Sequence, residues 1–282
     1  MRIDLHTHST ASDGTEAPAD VVAAAAAAGL DLVALTDHDT TLGWAPASEA
    51  VGRHGVALVP GIEISCQRAG HSIHLLGYLT DPDHVGLGAE LARARRSRVV
   101  RLERMVERMA ADGIPISYAE VQAQVPLDAT AGRPHIADAL VHKGVIAHRD
   151  EAFVDWLGSS SPYYVRHYAP DPVAAVRLVL DAGGVPVIAH PFSGTRSGSL
   201  PIRLVEEMAA AGLAGLEVGH RDHDVPTQAM AARLAARLGL LVTGSSDYHG
   251  SGKRNRLGEN TTDPEVLAEI EARATGTPVV RP

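Results

Sequence analysis

Residues 18–39, PADVVAAAAAAGLDLVALTDHD, contain the repeating unit that decides the fold. An Ala-rich helical pattern at residues 18–28 precedes a short apolar run at residues 32–36, and polar residues follow at once. Short Val, Ile and Leu runs alternate with such helical patterns along much of the chain, which is typical of βα units around a parallel sheet. The sequence therefore predicts an α/β fold.

The same pattern predicts seven strands and five helices outside the middle of the chain. The strands fall at residues 3–6, 32–36, 57–64, 73–79, 185–189, 215–218 and 240–243. The helices fall at residues 18–28, 45–53, 200–211, 226–238 and 264–274.

The strand pattern disappears between residues 82 and 182, where Val99, Leu102, Val106 and Met109 recur at helical spacing. Turn-rich stretches interrupt this region, so we expect several short helices rather than one rod. We expect a barrel domain built from residues 1–81 and 183–282. Residues 82–182 then form a helical insertion that caps its open end, where the active site is expected.

Composition points to a globular protein with an acidic balance. The chain of 282 residues is 45% hydrophobic and 21% charged, and its formal charge is −9. This composition differs from that of disordered chains, which combine low hydrophobicity with high net charge. Acidic charge disfavours stable binding of duplex nucleic acid. Neither a membrane-spanning run nor a signal-peptide core is present, so we expect a cytoplasmic protein with no membrane partner.

The single cysteine restricts the kinds of metal site that the chain can form. Cys66 stands alone, so the chain cannot form an intramolecular disulfide or a thiolate zinc cage. We expect Cys66 to be an inert, partly buried thiol. Any bound metal must therefore be held by imidazole and carboxylate groups, and the chain has 15 His.

Histidine and carboxylate residues recur where the predicted strands end. His6 and His8 project to the same side of the first strand, because side chains alternate along a strand. In a βα barrel the carboxyl ends of the strands face one mouth, so residues distant in sequence become neighbours there. Residues of these types follow the first strand on a turn (Asp13) and stand at later strand ends, namely His38, Glu63, His74, His190, Glu217, His220, Asp247 and His249.

Each of these residues has an ordinary explanation when taken alone. Asp13 is a common turn residue, and His74 could be a buried core histidine. About nine of them are candidate ligands, which is more than one ion can use. We therefore expect two or three divalent ions, Mn, Fe or Zn, which can supply hydroxide near neutral pH and polarise a phosphoryl group.

The ordered motifs resemble those of the polymerase and histidinol phosphatase (PHP) superfamily. The resemblance rests on His6-Thr7-His8, TDHD at residues 36–39, AHP at 189–191 and SSDYH at 245–249. PGIEIS at residues 60–65, followed by HLLGY at 74–78, is similar to the nucleotide phosphoesterase branch of that superfamily. The resemblance implies a distorted seven-stranded (β/α)7 barrel that hydrolyses a nucleotide phosphomonoester, either a 3',5'-bisphosphonucleotide or AMP.

The resemblance also implies three sets of metal ligands that share Glu63. These sets are His6, His8, Glu63 and Asp247 for one ion, Asp13, His38 and His249 for a second, and Glu63, His74 and His190 for a third.

The small anionic nucleotide also needs cationic groups outside the metal centre. Arg133 and His135 open a helical pattern, where a guanidinium and backbone N–H groups can bind phosphate. After the sixth strand, His220 or His223 could bind phosphate or donate a proton to the leaving alkoxide, and His223 aligns better with the branch. We expect direct catalytic roles for Asp13, His38 and His223.

Two groups of residues have more than one interpretation. Seven arginines at residues 93–108 form either a solvated helix face or a basic track for short RNA, which would favour a 5'-to-3' exoribonuclease. Tyr163, Tyr164 and Tyr168 either stack a base or pack in the core. A histidinol-phosphate-type phosphatase, a deacylase and a non-catalytic metal-binding module compete with the nucleotide phosphatase as functions of the barrel.

Overall fold

The computed structural model describes residues 1–193 and 200–282, and these residues contain one mixed sheet. Its strands pair in sequence order from β1 to β7. Each strand overlaps a segment predicted from the sequence, and the α/β fold class is confirmed. The bounds are β1 Ile3–Asp4, β2 Leu32–Leu35, β3 Ala57–Arg68, β4 His71–Tyr78, β5 Val185–Ala189, β6 Gly215–Gly219 and β7 Leu241–Gly244.

One strand, β4, runs against its neighbours, which the expectation of a parallel sheet did not include. It pairs antiparallel with β3, where Ser65 faces His74, and antiparallel with β5, where His74 faces Ala189. The other neighbouring pairs are parallel. This reversal places the first half of β4 beside the carboxyl ends of β3 and β5, so His74 lies at the mouth.

Contacts between the first and last strands nearly close the sheet into a barrel. Thr7 and Tyr248 form a parallel bridge, and the His8 amide donates to the Tyr248 carbonyl at 2.8 Å. The buried Asp4 carboxylate accepts the amides of Ser246 at 3.0 Å and Gly258 at 2.8 Å. The fold is a distorted seven-stranded (β/α) barrel.

Helices cover the outside of the barrel and form the insertion. Three of them follow a capping aspartate, Asp171, Asp224 or Asp263, whose carboxylate accepts backbone N–H groups of the first turn. The bounds are α1 Pro18–Ala27, α2 Trp44–His54, α3 Val85–Ala111, α4 Tyr118–Gln122, α5 Arg133–His142, α6 Arg149–Ala152, α7 Pro172–Asp181, α8 Ile202–Ala210, α9 Val225–Leu238 and α10 Pro264–Arg273.

The insertion combines one long helix with shorter segments, so the expectation of several short helices describes only its later part. The first helix, α3, has 27 residues, and a π-helical segment at Phe153–Leu157 follows α6. Leu102 and Met109 of α3 pack with Leu140 in an apolar cluster separate from those of the barrel. The division of the chain at residues 82 and 182 stays a prediction.

Among residues 1–193 and 200–282, no helix combines the length and apolar character that crossing a bilayer requires. At 27 residues α3 is long enough, but its arginines would face lipid.

Candidate active site

The mouth of the barrel gathers all nine residues that the sequence singled out as metal ligands. Eight of them are buried and His74 is half-buried. Glu63 lies at the centre, because its carboxylate oxygens contact imidazole nitrogens from five directions. The distances are 3.3 Å to His6, 3.0 Å to His8, 3.1 Å to His38, 2.5 Å to His74 and 3.2 Å to His190.

Four ligand atoms converge in the deepest group, which has the same members as the first implied set. The Nε2 atoms of His6 and His8 lie 3.1 Å apart. Oδ1 of Asp247 lies 3.4 Å from the first and 3.5 Å from the second, and Oε2 of Glu63 completes the group. Two imidazoles and two carboxylates around one point can hold a divalent ion.

A second group surrounds Asp13. Its Oδ1 lies 3.2 Å from His249 Nε2, and its Oδ2 lies 3.8 Å from His38 Nε2. His8 also reaches this group, since its Nδ1 lies 3.6 Å from Asp13 Oδ1. Asp13, His38 and His249 therefore lie together, as the second implied set requires.

The third group differs from its implied set in one member. Glu63 and His74 share a possible site with His38, whereas His190 groups with His6 and Glu217. His190 still contacts the same Glu63 oxygen as His74 does. The structure thus brings both His74 and His190 to Glu63.

Hydrogen bonds fix the tautomers of three histidines so that bare nitrogens face the centre. His6 Nδ1 donates to Glu217 at 3.0 Å, and His249 Nδ1 donates to the Asp247 carbonyl at 2.8 Å. His8 Nδ1 donates to Ser12 Oγ at 3.3 Å, because that hydroxyl gives its own proton to Asp37 at 2.6 Å. In each neutral ring, Nε2 then carries only a lone pair.

Lone pairs that face carboxylate oxygens at these distances repel unless a metal ion or a proton lies between them. His249 Nε2 is buried and accepts no hydrogen bond from the described residues. It faces Asp13, which can donate nothing when ionised. The donor set is imidazole and carboxylate without thiolate, which suits Mn, Fe or Zn, so the residues fit a metal centre.

The electrostatics of the group favour ionised carboxylates. Burial alone would raise the pKa of Glu63, but the imidazoles of His74, His38 and His6 hold that pKa well below its usual range. Burial likewise opposes ionisation of Asp247, yet Lys253 and His249 keep its pKa well below the ordinary value. These acids are therefore charged across the physiological range.

Strained backbone marks the same strand ends. Asp39, His190 and Asp247 have φ angles of 53°, 28° and 54°, in the left-handed region that L residues seldom adopt. Such conformations cluster at functional sites, where the surrounding structure holds them. The Asp39 carboxylate accepts the Ser65 amide and Arg98 Nε.

The ligand sets implied by the resemblance leave out two residues that support the metal group. Besides the His6 imidazole, Glu217 accepts the His190 amide at 2.7 Å and the Ser245 hydroxyl. Lys253 donates to Asp247 Oδ2 at 2.7 Å. The sequence placed Glu217 at a strand end among the residues of ligand type, whereas no pattern marked Lys253.

Arg133 and His135 lie at the first turn of α5. Arg133 Nη1 donates to the Leu157 carbonyl at 2.6 Å, and its guanidinium lies 5.5 Å from the ring centre of Tyr164. His135 is buried, and its Nδ1 accepts the Gly132 amide at 3.0 Å. His135 also lines an open cavity with Gly14, next to Asp13.

His220 and His223 follow β6 but have different surroundings. His223 donates from Nδ1 to the Val218 carbonyl at 2.9 Å and accepts the Phe192 amide at Nε2, so neither nitrogen is left for substrate in this arrangement. His220 accepts the Asp222 amide at Nδ1. Its Nε2 points toward Asp247 at 3.6 Å, without a hydrogen bond among the described residues.

The arginines of α3 are not a uniformly solvated face. Arg98 and Arg101 are buried, while Arg104 is exposed. The tyrosines after the π-helical segment differ as well. Tyr163 packs on the apolar cluster of the insertion, and the ring of Tyr168 lies 3.6 Å from the guanidinium of Arg93.

Comparison with known proteins agrees with this geometry. The chain is 34% identical to a 3',5'-nucleoside bisphosphate phosphatase of Chromobacterium violaceum over 96% of its length and 97% of the relative's. It is 32% identical to a 5'-3' exoribonuclease of Haemophilus influenzae over 92% and 94% of the two chains.

A solved structure is also similar over nearly the whole chain. It is assigned as a metal-dependent phosphoesterase of Bifidobacterium adolescentis, with a TM-score of 0.94, 42% identity and coverage of 97% and 96%. Residues 4–172, more than half of the chain, match the PHP domain. The chain therefore belongs to the PHP domain family and is a metal-dependent hydrolase of phosphoric esters.

Proposed function

We propose that this enzyme removes phosphate from a nucleotide phosphomonoester, either a 3',5'-bisphosphonucleotide or AMP. The observation that carries the proposal is the convergence of imidazole lone pairs and carboxylate oxygens around Glu63 at the barrel mouth. The phosphatase from C. violaceum is similar to this chain over almost its full length, which supports a nucleotide as the substrate.

The nine residues named above would hold two or three divalent ions, Mn, Fe or Zn. When bound, such ions acidify water near neutral pH and polarise the phosphoryl group. His38, Asp13 and His74 form the less buried edge of the group, with side chains 10%, 10% and 13% exposed. We place the reacting phosphate at this edge.

The residues around the ions have separate tasks in this proposal. Glu217 and the Ser12–Asp37 pair orient the imidazoles of His6 and His8. Arg133 binds phosphate, and His135 faces the substrate from the side of Asp13. His220 Nε2–H donates a hydrogen bond to the leaving oxygen, because both ring nitrogens of His223 are engaged by the backbone.

A second candidate is a 5'-to-3' exoribonuclease acting on short RNA. The exoribonuclease from H. influenzae is similar to this chain over nearly its full length, which favours this second candidate. Both candidates share the same metal chemistry, and both are expected of a cytoplasmic protein. They differ in whether the substrate continues beyond one nucleotide.

Phosphate and mononucleotide release tests the two candidates directly. The enzyme with added Mn is given 3',5'-bisphosphoadenosine, AMP, histidinol phosphate and a short 5'-phosphorylated RNA. We expect phosphate from the nucleotides, and a loss of at least about 1,000-fold in His38→Ala. The exposed His148→Ala serves as the matched control. Turnover of RNA alone would favour the second candidate, and turnover of none would refute both.

A further inference from the structure

The turn that carries Asp13 contacts both the end of the last strand and the insertion. On the barrel side, the Thr15 amide donates to the His249 carbonyl at 3.2 Å. On the insertion side, the Thr130 amide donates to the Ala11 carbonyl at 2.9 Å. The group formed by Asp13, His38 and His249 therefore lies where three segments of the chain meet.

Arg149, the first residue of α6, reaches this turn from the insertion. Its Nη1 donates to the Asp13 carbonyl at 3.0 Å. Its Nε and Nη2 donate to the two carboxylate oxygens of Asp138 in α5, the second of these bonds at 2.6 Å. The Arg149 side chain is only 13% exposed. A planar guanidinium bound to both oxygens of one carboxylate has a fixed direction, so its remaining nitrogen is aimed at the Asp13 backbone.

The loop after β7 packs against the same guanidinium. A Cβ on Gly252 would lie 2.2 Å from Arg149 Nη1. Glycine at this position therefore leaves the space that the guanidinium occupies. Arg149 thus lies against the segments of both Asp13 and His249, whose side chains face each other at 3.2 Å.

An open cavity of about 370 Å³ lies beside this contact, with Gly14 on its barrel side and Gln124 and His135 on its insertion side. The cavity limits direct packing between the turn and the insertion. Within the described part of the chain, the hydrogen bonds that cross from the insertion to this turn are those of Arg149 and the Thr130 amide. The position of the turn therefore depends on Arg149.

We propose that Arg149 is a positioning residue for the ion bound by Asp13, His38 and His249. By holding the Asp13 backbone it sets the direction of that carboxylate, so the affinity for this ion depends on the docked insertion. The dependence is reciprocal, because an ion that binds more tightly when the insertion is docked must also hold the insertion in place. This inference rests on the metal centre of the proposed function and not on which nucleotide is hydrolysed.

Titration of the metal-free protein with Mn is the first test. In Arg149→Met, the affinity for one ion should fall at least about tenfold while the other ions keep wild-type affinity, as expected when a residue that orients a metal ligand is lost. Gly252→Ala should have the same effect, because the added Cβ displaces the Arg149 guanidinium and keeps its charge. Wild-type affinity for every ion in both variants, or an equal loss for all ions, would overturn the inference.

Two matched controls accompany these variants. Arg254 forms an exposed ion pair with Asp150 at 3.7 Å, so Arg254→Met removes a contact between the loop after β7 and α6 that does not reach Asp13. Gly52→Ala adds a Cβ that meets nothing within 4 Å. Both controls should bind every ion as the wild type does. If Arg149 only stabilised the insertion, the Tm of Arg149→Met would fall and its Mn titration would not change, which would refute the positioning role.

Hydrogen exchange gives a second readout that is independent of turnover. In the wild type, amides at residues 133–152 should exchange more slowly when Mn is bound, and this protection should be lost in Arg149→Met. Equal exchange at these residues with and without Mn in the wild type would overturn the inference. Ion binding without hydrolysis of any nucleotide would instead refute the proposed function, and both readouts would still decide the role of Arg149.

Discussion

The carboxylate of Glu217 holds the His6 imidazole and the backbone of His190 at the same time. Glu217→Gln replaces one acceptor oxygen with an NH2 group that faces donors, so His6 loses its fixed tautomer. We expect metal affinity to fall about 10- to 100-fold, as for other residues that orient metal ligands.

Titration of the metal-free protein with Mn measures this affinity. Glu259→Gln is the matched control, because Glu259 pairs with Arg221 on the surface. An unchanged affinity in Glu217→Gln would show that His6 needs no such support.

The imidazoles of His6 and His8 make metal binding depend on pH. Burial alone would lower the pKa of His8, but Asp247 and Glu63 raise it to about 9. The same acids, with Glu217, raise the pKa of His6 well above its ordinary value. A metal ligand must be deprotonated, so ion binding at pH 7 must release protons, and affinity must rise as pH rises toward 9.

Proton release on addition of Mn to metal-free protein in weak buffer checks this prediction. We expect at least about one proton per chain at pH 7 and progressively fewer above pH 9. No release at pH 7 would mean that His8 is already neutral in the metal-free protein.

Residue types and order alone were enough to predict which side chains would gather around Glu63. The tautomers and Lys253 were beyond the sequence, because they depend on contacts between segments such as Ser12 with Asp37. The expected catalytic use of His223 rested on its place after a strand. Its position in the sequence does not reveal that the Phe192 amide, from another loop, donates a hydrogen bond to Nε2.

The turn that carries Asp13 requires glycine at its next position. A Cβ on Gly14 would lie 2.5 Å from the His8 carbonyl oxygen, which is backbone and cannot move aside cheaply. We expect Gly14→Ala to displace Asp13 and lower kcat by at least about tenfold, because small misplacements of reacting groups cost rate steeply.

Gly52→Ala is the control for this turn, since Gly52 lies in α2 and an added Cβ there meets nothing within 4 Å. We expect it to keep full activity and to stabilise the fold by about 0.5–1 kcal/mol. Steady-state kinetics and thermal unfolding of both variants give the comparison. Full activity in Gly14→Ala would show that catalysis does not depend on the conformation of this turn.

Strand positions were predictable because short apolar runs are bounded by polar and turn residues. The direction of β4 was missed, because the alternation of apolar and polar residues along a strand does not depend on the direction of the strand in the sheet. Its link to β3 held the missing signal: parallel neighbours need a crossover of a dozen or more residues, which the short stretch from 65 to 72 cannot provide. That reversal is what brings His74 to the mouth.

One buried carboxylate, that of Asp4, helps to close the barrel. Asp4 joins β1 to the segments after β7 through the amides of Ser246 and Gly258. Asp4→Ala would leave these donors without an acceptor, so we expect a loss of about 2–4 kcal/mol in the free energy of unfolding. Denaturant unfolding measures it, with the exposed Asp31→Ala expected to lose less than about 1 kcal/mol. Equal losses would mean that Asp4 does not hold the closure.

The net acidic charge of the chain conceals a local excess of positive charge. Composition favoured a partner other than duplex nucleic acid, but it could not show that Arg98 and Arg101 turn inward from α3. Only the packing of the insertion against the mouth distinguishes these arginines from Arg104, which lies on the same helix and faces solvent.

The central claim is that the residues around Glu63 hold several ions at once. Anomalous X-ray scattering from crystals of Mn-reconstituted enzyme, with elemental analysis of the same sample, tests it most directly. We predict two or three peaks, each within coordination distance of the His6–His8, Asp13–His38 or His74–His190 groups, with Glu63 touching at least two. No metal peak at the mouth, despite full reconstitution, would contradict the account.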